Sequence, residues 1–337
     1  MRGHGPAIKT SIRDITNDLE EPPCRIILKN EYEQPSGSFK LRGIGYLIST
    51  SIAEARRLGK VNVHVYCSSG GNAGLAAAYA SKDLNVPCTV VLPTTSKDIV
   101  IKKLQSFGAE VKIHGHHWGE ADNYLKELIS NADESTYPVY CHPFDDPRLW
   151  DGHAAIIDEI IEEKQLSEQD LSKIAAVFCS VGGGGLYNGI VEGLQRREPP
   201  LSDVPIVAVE TKQCPTFHEA IKAGKVVHLE SINTIVTSLA SPYLSEKSLE
   251  NYHHHETKTE LIDDLDAIMT TVDFYDKLGL TLEPSCSATL HFALNCHLLP
   301  KIIPNLKKDS IVLFIACGGS GVDESVIDTY RNLIKGS

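Results

Sequence analysis

The sequence lacks any uninterrupted apolar run of the roughly 18 residues that a membrane-spanning helix needs, so no segment reads as crossing a bilayer. Its opening, MRGHGPAIKTSIRDITNDLEEPP, has no apolar stretch of the secretory kind and turns acidic too early for a transit peptide. That favours the cytoplasm and leaves a mitochondrial location open. Positive charge is also in short supply: 44 acidic side chains stand against 32 basic ones, a formal net charge of −12. A general nucleic-acid binder needs a basic stripe for phosphates, and this overall acidity weighs against one. No C-x-x-C occurs among the nine cysteines, which are odd in number and scattered. They read as reduced, mostly buried thiols of an intracellular protein. No repeat, low-complexity tract or Pro/Gly/Ser linker divides the chain. What remains is 337 residues, 42% hydrophobic and 23% charged, an ordinary globular composition with room for one large or two ordinary domains.

Short β-branched runs alternate with longer amphipathic segments, the pattern of an α/β fold with a largely parallel sheet. Strands are expected at residues 24–28, 61–66, 88–92, 110–113, 139–141, 174–180, 206–210 and 311–317. Helices are expected at 39–57, 72–84, 99–107, 120–130, 152–163 and 186–195. From about 226 to 263, including the His253–His255 run, the pattern breaks and a loop-rich excursion is expected.

Glycine clusters in three turns, each after an expected strand, where open parallel sheets hold ligands. The first is Cys67-Ser68-Ser69-Gly70-Gly71-Asn72-Ala73-Gly74, which opens a helix whose free N–H groups suit an anion. The second is Ser180-Val181-Gly182-Gly183-Gly184-Gly185-Leu186. Four glycines in a row carry an entropic cost of about 0.5–1 kcal/mol each, which makes sense if backbone N–H groups wrap a phosphate. The third is Cys317-Gly318-Gly319-Ser320-Gly321. No G-x-G-x-x-G is present, since Tyr187 and Asn188 occupy the third-glycine positions, and no G-x-x-x-x-G-K-[ST] occurs. A conventional dinucleotide or nucleoside-triphosphate site is therefore not expected. Lys40, in Pro35-Ser36-Gly37-Ser38-Phe39-Lys40-Leu41-Arg42-Gly43, falls in the first turn of a helix. The positive helix end there favours a neutral amine, as a Schiff-base lysine requires.

In this order, the lysine segment, Ser68-Ser69-Gly70-Gly71-Asn72-Ala73-Gly74, Val181-Gly182-Gly183-Gly184-Gly185-Leu186, Glu283-Pro284-Ser285 and Cys317-Gly318-Gly319 resemble the serine/threonine dehydratases. These are fold-type II pyridoxal-phosphate enzymes, and the likeness runs from about Ile8 to Gly321. It is strongest to the eukaryotic catabolic L-serine dehydratases, which lack a regulatory domain, and none is expected here. The resemblance implies two open, twisted, mostly parallel sheets flanked by helices, as in the tryptophan-synthase β fold. It implies a large cofactor-binding domain (1–35 and 141–337), a small domain (36–140) and an active site in the cleft between them.

By the same resemblance, Lys40 holds pyridoxal 5′-phosphate, Phe39 packs on its ring and Asn72 bonds its 3′-oxygen. Gly182, Gly183, Gly184, Gly185 and Leu186 hold the phosphate. Cys317, with Gly318, meets the pyridine nitrogen. Ser69, Gly70, Gly71, Asn72 and Ala73 receive the substrate carboxylate. The implied reaction removes water from L-serine, giving pyruvate and ammonia, and from L-threonine, giving 2-oxobutanoate and ammonia, with the cofactor phosphate helping to protonate the departing hydroxyl.

A thiol at Cys317 cannot form a charge-assisted bond to a pyridinium, so the ring stays neutral and prompt elimination is favoured over racemisation. Gly70 stands where related serine racemases carry a serine base, which argues against racemase activity. Glu210, Cys214 and Thr216 resemble the shell of a monovalent cation such as K⁺. Residues 237–244 depart from the family pattern at Pro242-Tyr243, displacing a ring contact. The clusters His114, His116, His117 and His253–His255 have no zinc spacing and are expected in exposed polar loops. A homodimer is the family expectation. The rival readings are a β-replacement enzyme of the cysteine-synthase type, which typically has Thr-Ser-Gly-Asn-Thr-Gly and a serine opposite the ring nitrogen, and a non-catalytic relative that binds cofactor or amino acid.

Overall fold

The computed structural model describes residues 5–336. Among the described residues ten strands are formed: β1 (Ile12–Asp14), β2 (Arg25–Asn30), β3 (Asn62–Cys67), β4 (Cys88–Leu92), β5 (Glu110–Ile113), β6 (Thr136–Tyr140), β7 (Ile174–Ser180), β8 (Ile206–Thr211), β9 (Thr257–Ile262) and β10 (Ile311–Ala316). They lie in two sheets, ordered β5-β4-β3-β6 and β1-β2-β10-β7-β8-β9. Every pairing is parallel except that of β1 with β2.

The chain divides into two compact units. The first comprises residues 5–8 and Gln34–His153; the second comprises Lys9–Glu33 and residues 154–336. The sequence placed the corresponding boundaries at 35/36 and 140/141.

In the first unit the period-2 alternation of the strands sorts side chains to two covered faces. Val63, Val65 and Cys67 of β3, with Cys88, Val90 and Leu92 of β4, join one core with Leu41, Ile44, Leu47 and Ile48 of the helix Lys40–Arg57. Ala76, Ala77 and Ala80 of the helix Asn72–Asp83 complete that face. Tyr66 and Val91 point the other way, onto Ala121 and Leu125 of the helix Trp118–Ser130.

In the second unit, β10 sits between β2 and β7 and all six of its residues are buried, as its unbroken apolar sequence demands. Two strands were absent from the sequence reading. β1 has three residues, and β9 reads Thr-Lys-Thr-Glu-Leu-Ile, mostly polar. Both are edge strands with one hydrogen-bonded neighbour, so neither needs an apolar run. The excursion expected over 226–263 is thus corrected: it contains β9 and the helix Glu246–His254.

The histidine runs divide. His114, His116 and His117 are exposed, as are His253 and His254. His255 is instead buried, with Nε2 3.0 Å from the Val204 carbonyl oxygen. Among the described residues no group of three or more His, Cys, Asp or Glu side chains is gathered to hold a metal. No helix among them is long and apolar enough to cross a membrane.

Candidate active site

The lysine turn belongs to the first unit. Gly37 has φ +86°, a conformation that favours glycine, and its N–H donates to Gln34 O at 2.6 Å. The chain then enters the helix at Lys40, with Phe39 as N-cap. Lys40 Nζ donates to the Pro143 carbonyl oxygen and lies 5.2 Å from the centroid of the Phe39 ring. On Phe39 packs His153, at 4.8 Å between centroids. This imidazole is fully buried, and burial together with the Lys40 and Arg42 cations holds its pKa well below the usual histidine range, so it is neutral. Two glycines let the helices approach: a Cβ on Gly43 would fall 2.7 Å from His153 Nε2, and one on Gly152 2.6 Å from Arg42 O. Lys40 also acts electrostatically on Cys67 and His142, which brings the lysine turn beside the end of β3.

The asparagine turn follows β3. Gly74 is obligatory, because a Cβ there would overlap the Ser69 carbonyl oxygen. At Gly71 a Cβ would meet only Ser69 Oγ, at 3.8 Å, so this glycine leaves open space. Ser69, Gly70 and Asn72 are half-buried, and Ala73 is buried. Ser68 anchors the turn by donating to Asp122 Oδ1 at 2.7 Å, and Tyr140 donates to the same oxygen at 2.7 Å. Lys126 Nζ is 2.7 Å from Asp122 Oδ2. Burial alone would raise the Asp122 carboxyl, but hydrogen bonds from Lys126, Ser68 and Tyr140 hold it below the usual range. Asp122 was missed by the sequence reading. In the first turns of a helix it carries no signal distinguishing it from a solvent-facing helix-end charge.

The glycine turn lies in the second unit, after β7. Gly184 has φ +92° and ends the turn, and the helix Gly185–Gln195 begins at the next residue. Gly183, Gly184, Gly185 and Leu186 are buried. A Cβ on Gly182 would press on the Leu239 backbone at 3.3 Å, and one on Gly184 would overlap Ser248 Oγ. The first N–H groups of a helix have no acceptor within it, so this turn offers backbone donors where side chains are excluded. That donor set fits a phosphate dianion, and Ser248 beside it keeps a buried hydroxyl without a partner among the described residues.

The third turn follows β10, which ends at Ala316, one residue short of expectation. The Cys317 thiol is pushed well above its ordinary range by the neighbouring Cys286 thiol and by burial, so it stays protonated. Gly318 and Gly319 have φ +88° and +133°. Glu283, which the sequence quoted in a motif without a role, ties this turn down. It accepts from Gly321 N at 2.8 Å, Ser238 Oγ at 2.6 Å and Ser285 Oγ at 3.3 Å. A Cβ on Gly319 would overlap it.

The structure also groups Glu210, Cys214 and Thr216. Thr216 Oγ1 donates to Ser241 O at 2.7 Å, and Cys214 Sγ is 3.6 Å from the same oxygen. Glu210 accepts the N–H groups of Phe217 (2.6 Å) and His218 (2.8 Å) at the start of the helix Thr216–Ala223, and burial pushes its carboxyl up to about 8. In the departing segment, Ser241 Oγ donates to Tyr243 O at 2.6 Å and the Tyr243 ring packs on His228.

A lysine turn, an asparagine turn and a glycine turn on two mostly parallel sheets define a class. Residues 5–318 match the family model described as pyridoxal-phosphate dependent enzyme, and the chain belongs to that family. Among its relatives, the L-serine dehydratase of Saccharomyces cerevisiae (strain RM11-1a) is 42% identical over 313 residues, covering 92% of this chain and 90% of that one. The human L-serine dehydratase/L-threonine deaminase is 38% identical over 327 residues, covering 96% and 94%. The crystal structure of a fungal L-serine ammonia-lyase from Rhizomucor miehei superposes with a TM-score of 0.86 at 30% identity, covering 97% of this chain and 98% of that one.

Proposed function

We propose that the protein is a pyridoxal-phosphate lyase that converts L-serine to pyruvate and ammonia, and L-threonine to 2-oxobutanoate and ammonia. The water lost in the elimination is regained on hydrolysis, so the net change is release of ammonia. The observation that carries this is Lys40: it opens a helix beside Phe39, with its amine donating to the Pro143 carbonyl. The similarity to serine dehydratases over nine-tenths of the chain supports it.

The bound cofactor supplies an electron sink for charge developing at the substrate Cα. Lys40 Nζ has two tasks, attachment of that cofactor and removal of the Cα proton as general base. The Gly182–Leu186 N–H groups hold the phosphate, Phe39 packs on the ring and Asn72 orients its oxygen. Ser69, Gly70, Gly71, Asn72 and Ala73 take the substrate carboxylate, on a turn that Asp122 keeps in place through Ser68. Cys317, next to Gly318, faces the ring nitrogen as a neutral thiol and offers no anion to stabilise a protonated ring. Elimination is thereby favoured over racemisation. Glu210, Thr216 and the Ser241 carbonyl bind a monovalent cation, K⁺, with Cys214 alongside. The enzyme acts as a cytoplasmic homodimer.

Incubation of the purified protein with L-serine, L-threonine and D-serine, with keto acid measured for wild type and Lys40→Ala, tests the assignment. Keto acid from the two L-amino acids, abolished by the substitution, is expected. Bound cofactor with no keto acid from any substrate would overturn it.

A further inference from the structure

One face of the helix Glu246–His254 covers the glycine turn of the second unit. Ser245, its N-cap, donates its N–H to Gly183 O at 3.1 Å. A side chain on Gly184 would overlap Ser248 Oγ and approach Leu244 Cδ1 at 3.1 Å, so Ser248 occupies the place where that side chain would be. Farther along the same face, Asn251 Nδ2 donates to Asn188 Oδ1 at 3.0 Å. Asn188 belongs to the opening of the helix Gly185–Gln195, and its N–H donates to Gly184 O at 2.9 Å.

Two donors in this contact have no partner among the described residues: the Ser248 hydroxyl, 0% exposed, and Asn188 Nδ2, on a residue 1% exposed. An unsatisfied buried donor is costly, and alanine at 248 would remove that cost with little loss of packing. The hydroxyl is retained beside a turn whose other donors are all backbone N–H groups.

We propose that Ser248 is a further donor of the phosphate site, its hydroxyl bonding the phosphate monoester held by the Gly182–Gly185 turn. This rests on the cofactor assignment above. A hydroxyl bond to a dianion is charge-assisted, so its loss should be felt by a phosphorylated ligand alone.

The test titrates cofactor-free wild type and Ser248→Ala with pyridoxal 5′-phosphate and with pyridoxal, following the visible absorbance of the lysine-bound ligand, and melts both cofactor-free proteins. In Ser248→Ala the dissociation constant for pyridoxal 5′-phosphate should rise by about tenfold to a hundredfold. That for pyridoxal should stay within about twofold, and the cofactor-free melting temperature should be unchanged or higher. Should Ser248→Ala fold poorly, Ser248→Cys, close in volume with a weak donor, should show the same selective loss to a smaller degree. Equal weakening of both ligands, or of neither, overturns the proposal. A wild type that binds neither ligand removes the cofactor assignment itself, and this one with it.

Discussion

At the lysine turn, residues 35–43, the chemistry is concentrated in one side chain, and the surrounding residues aim it: Phe39 under the amine, His153 behind Phe39, Gly43 admitting the imidazole and Gly152 admitting the Arg42 backbone. At the glycine turn, residues 181–186, side chains are excluded and the groups on offer are backbone N–H donors. Charge is handled differently as well. His153 is kept uncharged by burial and by two cations, whereas the glycine turn carries partial positive charge from a helix end. The contrast teaches that one region can lose function without losing its fold, while the other ties binding to backbone conformation and so to stability.

The largest effect should come from the side chain with the chemistry. Lys40→Ala and Lys40→Arg should both lower keto-acid release by about a thousandfold or more, with a melting temperature close to wild type; arginine keeps the charge and cannot be deprotonated. An active Lys40→Arg would break the contrast.

Gly184→Ala should do the reverse, costing about 2–4 kcal/mol in urea unfolding, because left-handed backbone and overlap with Ser248 add together. Gly71→Ala sharpens this. Its φ of −90° is ordinary and its surroundings are open, so stability should fall by only about 0.5–1 kcal/mol, the usual difference between glycine and alanine at a helix N-cap, while KM for serine rises.

Asp122→Ala removes the acceptor of Ser68 and should raise KM about tenfold with kcat changed less, read from initial rates. A kcat loss at constant KM would place its influence elsewhere.

A further effect is a pH slope at Glu210. Its folded pKa of about 8 lies above the ordinary 4.5, so the folded state binds the extra proton between those values. Its contribution to stability is complete below about pH 4.5 and is lost as pH rises toward 8. Glu210→Gln should flatten that decline in melting temperature, and K⁺ should raise wild-type stability most at the alkaline end. A K⁺ effect that persists unchanged in Glu210→Gln would remove Glu210 from the cation site.

Much of the scaffold was legible beforehand because the buried strands announce themselves. β7 and β10 lie inside a sheet covered on both faces, so their sequences are continuous apolar runs. The edge strands β1 and β9 satisfy fewer constraints and left no such mark. The helix Glu246–His254 was hidden too: its sequence is strongly polar, and only the face bearing Ser248, Leu249 and Asn251 is buried. Among site residues, Lys40, Asn72 and the four glycines were legible because unusual residues stand at ordered turns. Asp122, His153 and Ser248 were not, since each acts on a turn far away in the chain.

By itself, then, the sequence determined the alternation that builds two parallel sheets, the glycines whose absent side chains open three turns, and the lysine at a helix start. Those follow from local rules: side-chain periodicity, left-handed backbone and helix polarity. Only the tertiary structure decided which partners stand behind those turns. Burial strips a carboxylate, an imidazole or a hydroxyl of water, and its charge and bonding then depend on whichever side chain the fold brings within about 3 Å. Asp122 is thereby held ionised by three donors, His153 held neutral by burial and two cations, and Ser248 left with a proton to give.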